Sequence, residues 1–210
     1  MESPIAKIKQ IKIVPIITIH QVKDVIPVIQ ALITGGLPVV EITFRTAAAA
    51  EAIKVASREF PDLLLGAGTV LTPGQVDDAY ANGAQFMVTP GFNPRVVDHC
   101  LERNIPIIPG LNTPTQVEQA LERAIDHVKF FPAEASGGLA FINAIGAPYG
   151  RVRFMATGGI NSTNLKQYLS NPFIFACGGS WMVKKELIDE GRFEDITRLV
   201  KDTVKAIGEL

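Results

Sequence analysis

The sequence predicts an α/β protein, a closed (β/α)8 TIM barrel, as a single domain over residues 1–210. Three observations carry this reading. Short apolar segments alternate with amphipathic ones along the whole chain, the pattern of a parallel sheet crossed over by helices. Eight apolar segments occur, as a closed barrel of this type requires. Most are apolar at nearly every position, as strands covered on both faces are. A doubly wound sheet obeys the same alternation and is the alternative.

The predicted strands are Ile13–Ile19, Val39–Thr43, Leu63–Gly66, Phe86–Thr89, Ile107–Ile108, His127–Phe130, Arg153–Ala156 and Ile174–Cys177. Helices lie between them. Asp24–Thr34 stops at Gly35-Gly36, a glycine C-cap. Ala47–Phe60 stops before Pro61. Pro73–Ala81 follows Thr72, with proline at the first helical position, and stops at Asn82-Gly83. Pro94–Arg103 follows Asn93, and Pro114–Ala124 follows Thr113, by the same device. Glu194–Ile207 is the last helix. No linker or low-complexity stretch divides the chain.

Composition narrows the class of function. At 210 residues with 47% hydrophobic and 20% charged side chains, the chain is built to bury a core. A net charge of −1, without basic or acidic blocks, speaks against nucleic-acid and membrane-surface partners. Apolar runs such as Ile13 to Ile17 are far too short to span a bilayer, and the start of the chain shows no signal-peptide core. The two cysteines, Cys100 and Cys177, are far apart and outside any CxxC pattern, which points to a reducing compartment and a cytoplasmic location. His20, His99 and His127 lack metal-ligand spacing, so no metal is expected.

In such a barrel, polar residues near the C-terminal strand ends are the functional candidates. Lys129 is the foremost, because it lies inside the apolar run His127-Val128-Lys129-Phe130-Phe131-Pro132. A buried lysine is paired or chemically used. Desolvation disfavours an ammonium ion, and a neutral buried amine is the nucleophile that attacks ketones. The competing reading is a strand-end lysine that extends to solvent. Phe131 beside it would wall the pocket. Strand two places Glu41, Thr43 and Arg45 on one face if it runs that far. Glu41 needs a partner, which Arg45 or Lys129 could supply. The pair is either structural or a general base beside a carboxylate-binding arginine. Thr69, in Gly66-Ala67-Gly68-Thr69-Val70, offers a hydroxyl. Thr157-Gly158-Gly159 and Gly178-Gly179-Ser180 follow the last two strands, where these barrels hold phosphate with backbone N–H groups. Trp181 is placed beneath that loop.

Five segments together carry a family resemblance: Glu41-Ile42-Thr43-Phe44-Arg45-Thr46, Gly66-Ala67-Gly68-Thr69-Val70, Val128-Lys129-Phe130-Phe131-Pro132-Ala133-Glu134, Thr157-Gly158-Gly159-Ile160 and Gly178-Gly179-Ser180-Trp181. In order and spacing they resemble the bacterial 2-keto-3-deoxy-6-phosphogluconate (KDPG) aldolases, also called 4-hydroxy-2-oxoglutarate (KHG) aldolases. The resemblance implies a class I aldolase of the Entner–Doudoroff pathway, with no cofactor, usually a homotrimer. It implies that Lys129 forms the Schiff base and Glu41 carries protons. Arg45, with Thr69 nearby, would bind the pyruvyl carboxylate. Pro90 and Thr157 would line the pocket, and Gly158, Gly159, Gly178, Gly179 and Ser180 would hold phosphate. The phosphorylated keto acid and pyruvate are the implied small-molecule partners. A 6-phosphogalactonate substrate, a phosphosugar isomerase or epimerase, and a non-enzymatic phosphosugar-binding protein are the competing readings.

Overall fold

The computed structural model describes residues 2–208. Among these residues nine strands form one sheet: β1 Ile13–Ile17, β2 Val39–Thr43, β3 Leu64–Gly68, β4 Phe86–Val88, β5 Ile107–Ile108, β6 Gly110–Leu111, β7 His127–Phe130, β8 Arg153–Thr157 and β9 Ile174–Gly179. Their order is β5-β4-β3-β2-β1-β9-β8-β7-β6, and every recorded pairing is parallel. The two ends of that order, β5 and β6, are separated in the chain by Pro109 alone. They are therefore one strand position of the eight expected, and the sheet closes on itself there. Proline has no N–H to give the ladder. Its carbonyl still accepts from the Lys129 N–H at 2.9 Å, and the Gly110 N–H turns to Thr89 Oγ1 at 3.0 Å.

Among the described residues ten α-helices surround the sheet: α1 Pro4–Ile11, α2 Val25–Gly35, α3 Ala49–Glu59, α4 Pro73–Ala81, α5 Pro94–Glu102, α6 Pro114–Glu122, α7 Gly138–Gly146, α8 Leu165–Leu169, α9 Lys185–Asp189 and α10 Phe193–Gly208. The predicted caps form. Thr72 Oγ1 accepts from the Gln75 N–H at 3.2 Å, Asn93 Oδ1 from Arg95 at 3.1 Å, and Thr113 Oγ1 from Gln116 at 3.4 Å. Each satisfies one of the orphan donors of a helix start.

The structure departs from the sequence reading at helix α1, at helices α7, α8 and α9, and at several strand ends. Helix α1 is capped by Ser3 Oγ, which accepts from the Ala6 N–H at 3.2 Å, and it buries Ile8. Helix α7 begins and ends in glycine, and α8 and α9 are single short turns. None of these three has a strong local signal. β1 ends at Ile17, two residues early. β3 instead continues past the predicted end at Gly66 to Gly68, and β9 past Cys177 to Gly179. Those glycines leave room for large neighbours: a Cβ on Gly66 would stand 2.2 Å from the Phe86 ring.

Strand alternation decides what faces the barrel axis. On β7, Phe130 points outward to Phe154 (ring centroids 6.0 Å apart) and to Phe141 of α7 (5.7 Å). Lys129, its neighbour, therefore points inward.

Candidate active site

Lys129 and Glu41 meet inside the barrel near its C-terminal mouth. Lys129 Nζ stands 3.5 Å from Glu41 Oε1, with the two side chains 6% and 1% exposed. The partner that Glu41 needs is thus Lys129, not Arg45. The second carboxylate oxygen, Oε2, is buried with no hydrogen-bond partner among the described residues. Gly68 on β3 makes the seat for this carboxylate, since a Cβ there would lie 2.0 Å from Oε1. The Phe131 ring centroid lies 5.4 Å from Nζ and shields the amine with an aromatic face.

Arg45 stands at the rim beyond Glu41. Its Nε donates to Thr69 Oγ1 at 3.2 Å. Thr69 has φ 54°, a left-handed conformation that a β-branched residue seldom adopts. Local backbone strain is thus held where a side chain is aimed at Arg45.

A cavity of about 670 Å³ opens over the pair. Arg45, Lys129, Phe131, Thr157, Gly158, Gly159, Gly178, Gly179 and Ser180 all line it. Thr157 Oγ1 is buried without a hydrogen-bond partner among the described residues. Gly158 and Gly159 have φ 96° and 84°, a backbone turn that only glycine makes at low cost. The turn is pinned from behind by the chain that follows β7. The Ala133 N–H donates to Thr157 O at 2.7 Å and the Glu134 N–H to Gly158 O at 3.0 Å. The Trp181 indole covers Gly179, where a Cβ would meet the ring at 1.9 Å.

Not every nominated residue faces the cavity. Glu41 lies below the lining, behind Lys129, and Thr69 reaches the site through Arg45. Pro90 stands outside the lining, with its backbone against Gly110. The lining also contains Ile16, Thr18, Asn161 and Lys184, which the sequence reading did not nominate. Thr18 carried a signal, a hydroxyl inside an otherwise apolar predicted strand. Lys184 and Asn161 carried none, because polar residues are ordinary in loops.

Other reactive groups are set aside by their surroundings. Burial pushes the Cys100 thiol up to about 12 and raises that of Cys177 further, so neither is a ready thiolate. His99 pairs with Asp77, and His127 pairs with Asp126. Among the described residues no three His, Cys, Asp or Glu side chains cluster to hold a metal ion, and no helix is long and apolar enough to cross a membrane.

The fold and the site together define a (β/α)8-barrel enzyme with a lysine–carboxylate pair beneath a glycine-rimmed cavity. The chain belongs to the KDPG and KHG aldolase family, whose profile matches residues 5–199. It is 50% identical over 201 residues to the 2-dehydro-3-deoxy-phosphogluconate aldolase of Treponema pallidum, covering 96% of each chain. The KDPG aldolase of Legionella pneumophila, solved with pyruvate captured at low pH as a covalent carbinolamine intermediate, superposes with a TM-score of 0.92 at 38% identity. That match covers 95% of this chain and 97% of the other. The aldolase of Zymomonas mobilis, solved with 3-phosphoglycerate, has a TM-score of 0.89 at 36% identity, covering 95% and 94%.

Proposed function

We propose that this protein is a class I aldolase that cleaves KDPG to pyruvate and glyceraldehyde 3-phosphate through a Schiff base on Lys129. It also cleaves 4-hydroxy-2-oxoglutarate to pyruvate and glyoxylate. Its main support is the Lys129–Glu41 pair, 3.5 Å apart, with Lys129 in the lining of a cavity large enough for a six-carbon acid phosphate and Glu41 below that lining.

The Lys129 amine attacks the C2 ketone to give a carbinolamine, and loss of water gives an iminium. Glu41, directly or through a water, takes the proton of the C4 hydroxyl. The C3–C4 bond then breaks, its electron pair passing into the iminium to form an enamine, and the aldehyde leaves. The enamine is protonated at C3 from Glu41, and water releases pyruvate and the free amine. The iminium is the electron sink, so the route calls for no cofactor. Arg45 binds the substrate carboxylate, with Thr69 holding the guanidinium. Thr157 and Phe131 position and enclose the reacting carbons, and Pro90 supports the wall from the neighbouring strand turn. Gly158, Gly159, Gly178, Gly179 and Ser180 hold the phosphate through N–H groups and a hydroxyl. Fixing both substrate ends orients the bond to be broken over Lys129.

The same reading takes residues 1–210 as one barrel domain, assembled as a homotrimer and working in the cytoplasm within the Entner–Doudoroff pathway. Two free, buried cysteines support a reducing compartment. The test is an assay of pyruvate release from KDPG and from its C4 epimer, with size-exclusion light scattering for the trimer. Release from KDPG in preference to the epimer is expected. Interconversion of phosphosugars without pyruvate release would replace the aldolase by an isomerase.

A further inference from the structure

The cavity wall between Arg45 and the glycine turns contains a hydroxyl to which the mechanism gives no task. Thr18 follows β1 and is half-buried in the cavity lining. β1 lies between β2, which carries Glu41 and leads to Arg45, and β9, which leads to Ser180. Ile16 is in register with Glu41, and Thr18 is two residues nearer the mouth on the same face. It therefore sits between the reacting bond and the phosphate end.

Its hydrogen-bonding capacity follows from counting protons. Thr43 has one hydroxyl proton, and it donates that proton to Ile17 O at 3.0 Å. Thr18 Oγ1 lies 2.9 Å from Thr43 Oγ1. With the Thr43 proton already used, Thr18 is the donor in this contact. Thr18 has then spent its only proton and offers the cavity an acceptor alone.

We propose that Thr18 is a specificity-determining residue that accepts a hydrogen bond from the C5 hydroxyl of the substrate. The assignment rests on the aldolase reading above. In that reading the C4 hydroxyl gives its proton towards Glu41, which leaves C5 as the hydroxyl-bearing carbon between the cleaved bond and the phosphate. A group with only acceptor oxygens finds no partner at Thr18, so the residue favours a hydroxylated aldehyde over one lacking that group.

The test runs the reaction towards condensation, with pyruvate and either D-glyceraldehyde 3-phosphate or 3-oxopropyl phosphate, which lacks the 2-hydroxyl. The wild-type enzyme is expected to prefer the hydroxylated aldehyde by about tenfold in kcat/KM. Thr18→Val should lose that preference, Thr18→Ser should keep it, and borohydride should trap pyruvate equally on all three proteins. A Val variant that keeps the preference, or that loses activity equally with both aldehydes, overturns the role of Thr18. Failure of the wild type to trap pyruvate overturns the aldolase reading itself.

Discussion

Lys129 Nζ and Glu41 Oε1, 88 residues apart in the chain, lie 3.5 Å apart inside the barrel. Neither side chain is more than 6% exposed. Burying such a pair costs desolvation that the mutual attraction only partly returns, so stability alone is a weak reason to build it. An amine beside a carboxylate under an open cavity is, by contrast, what imine formation and proton transfer need.

Lys129→Ala is expected to abolish cleavage, by about 10⁴-fold or more in kcat, because the covalent route is lost. Far-UV circular dichroism should stay unchanged. Normal turnover by a folded variant would end the Schiff-base account.

Gly68→Ala tests the seat of the base. The added methyl would stand 2.0 Å from Glu41 Oε1, so the carboxylate must move. A displacement of about 1 Å at a reacting group costs on the order of 10² in rate. Steady-state kinetics should show kcat falling far more than KM rises, and unchanged kcat would place the proton-transfer group elsewhere.

Thr69→Gly separates strain from function. Glycine removes the cost of φ 54° and also removes the hydroxyl that accepts from Arg45 Nε. The melting temperature should hold or rise, while kcat/KM for keto acids falls about tenfold through a less ordered guanidinium. A lower melting temperature with unchanged kinetics would mean that Thr69 serves only the fold.

Ser180→Ala addresses the phosphate end. Loss of one hydrogen bond to a charged group is worth roughly 1.5–3 kcal/mol. KM for KDPG should therefore rise about tenfold or more, with 4-hydroxy-2-oxoglutarate unaffected. Equal losses for both substrates would remove Ser180 from phosphate binding.

The thiols give a check on the packing. Cys100 and Cys177 are both fully buried, and burial raises both thiols well above neutral pH. Ellman's reagent at neutral pH should find no rapidly reacting thiol in the native protein and two after denaturation. A fast native thiol would show that α5 or β9 opens readily.

Much of this arrangement was legible in the sequence because strong local signals coincide with it. Thr72-Pro73, Asn93-Pro94 and Thr113-Pro114 each announce a capped helix, and each cap forms. Lys129 stands out because a charge in an apolar strand is rare. The parts that were not legible depend on contacts between distant residues. Gly66, inside the predicted strand, and Gly68, just past it, show no task until Phe86 and Glu41 are seen beside them. The choice of Lys129 over Arg45 as partner of Glu41 is set by barrel closure, in which Pro109 splits one strand position into β5 and β6. Pro90 belongs to a motif, yet its backbone abuts Gly110 outside the cavity lining. Thr18 acquires its acceptor role only through Thr43 on the next strand.

Imine formation at Lys129 is read out by borohydride reduction in the presence of pyruvate, followed by peptide mass mapping. A single reduced pyruvyl adduct on the peptide containing Lys129 is the expected result. Folded, full-length protein that gives no adduct, or an adduct on another lysine, would contradict it.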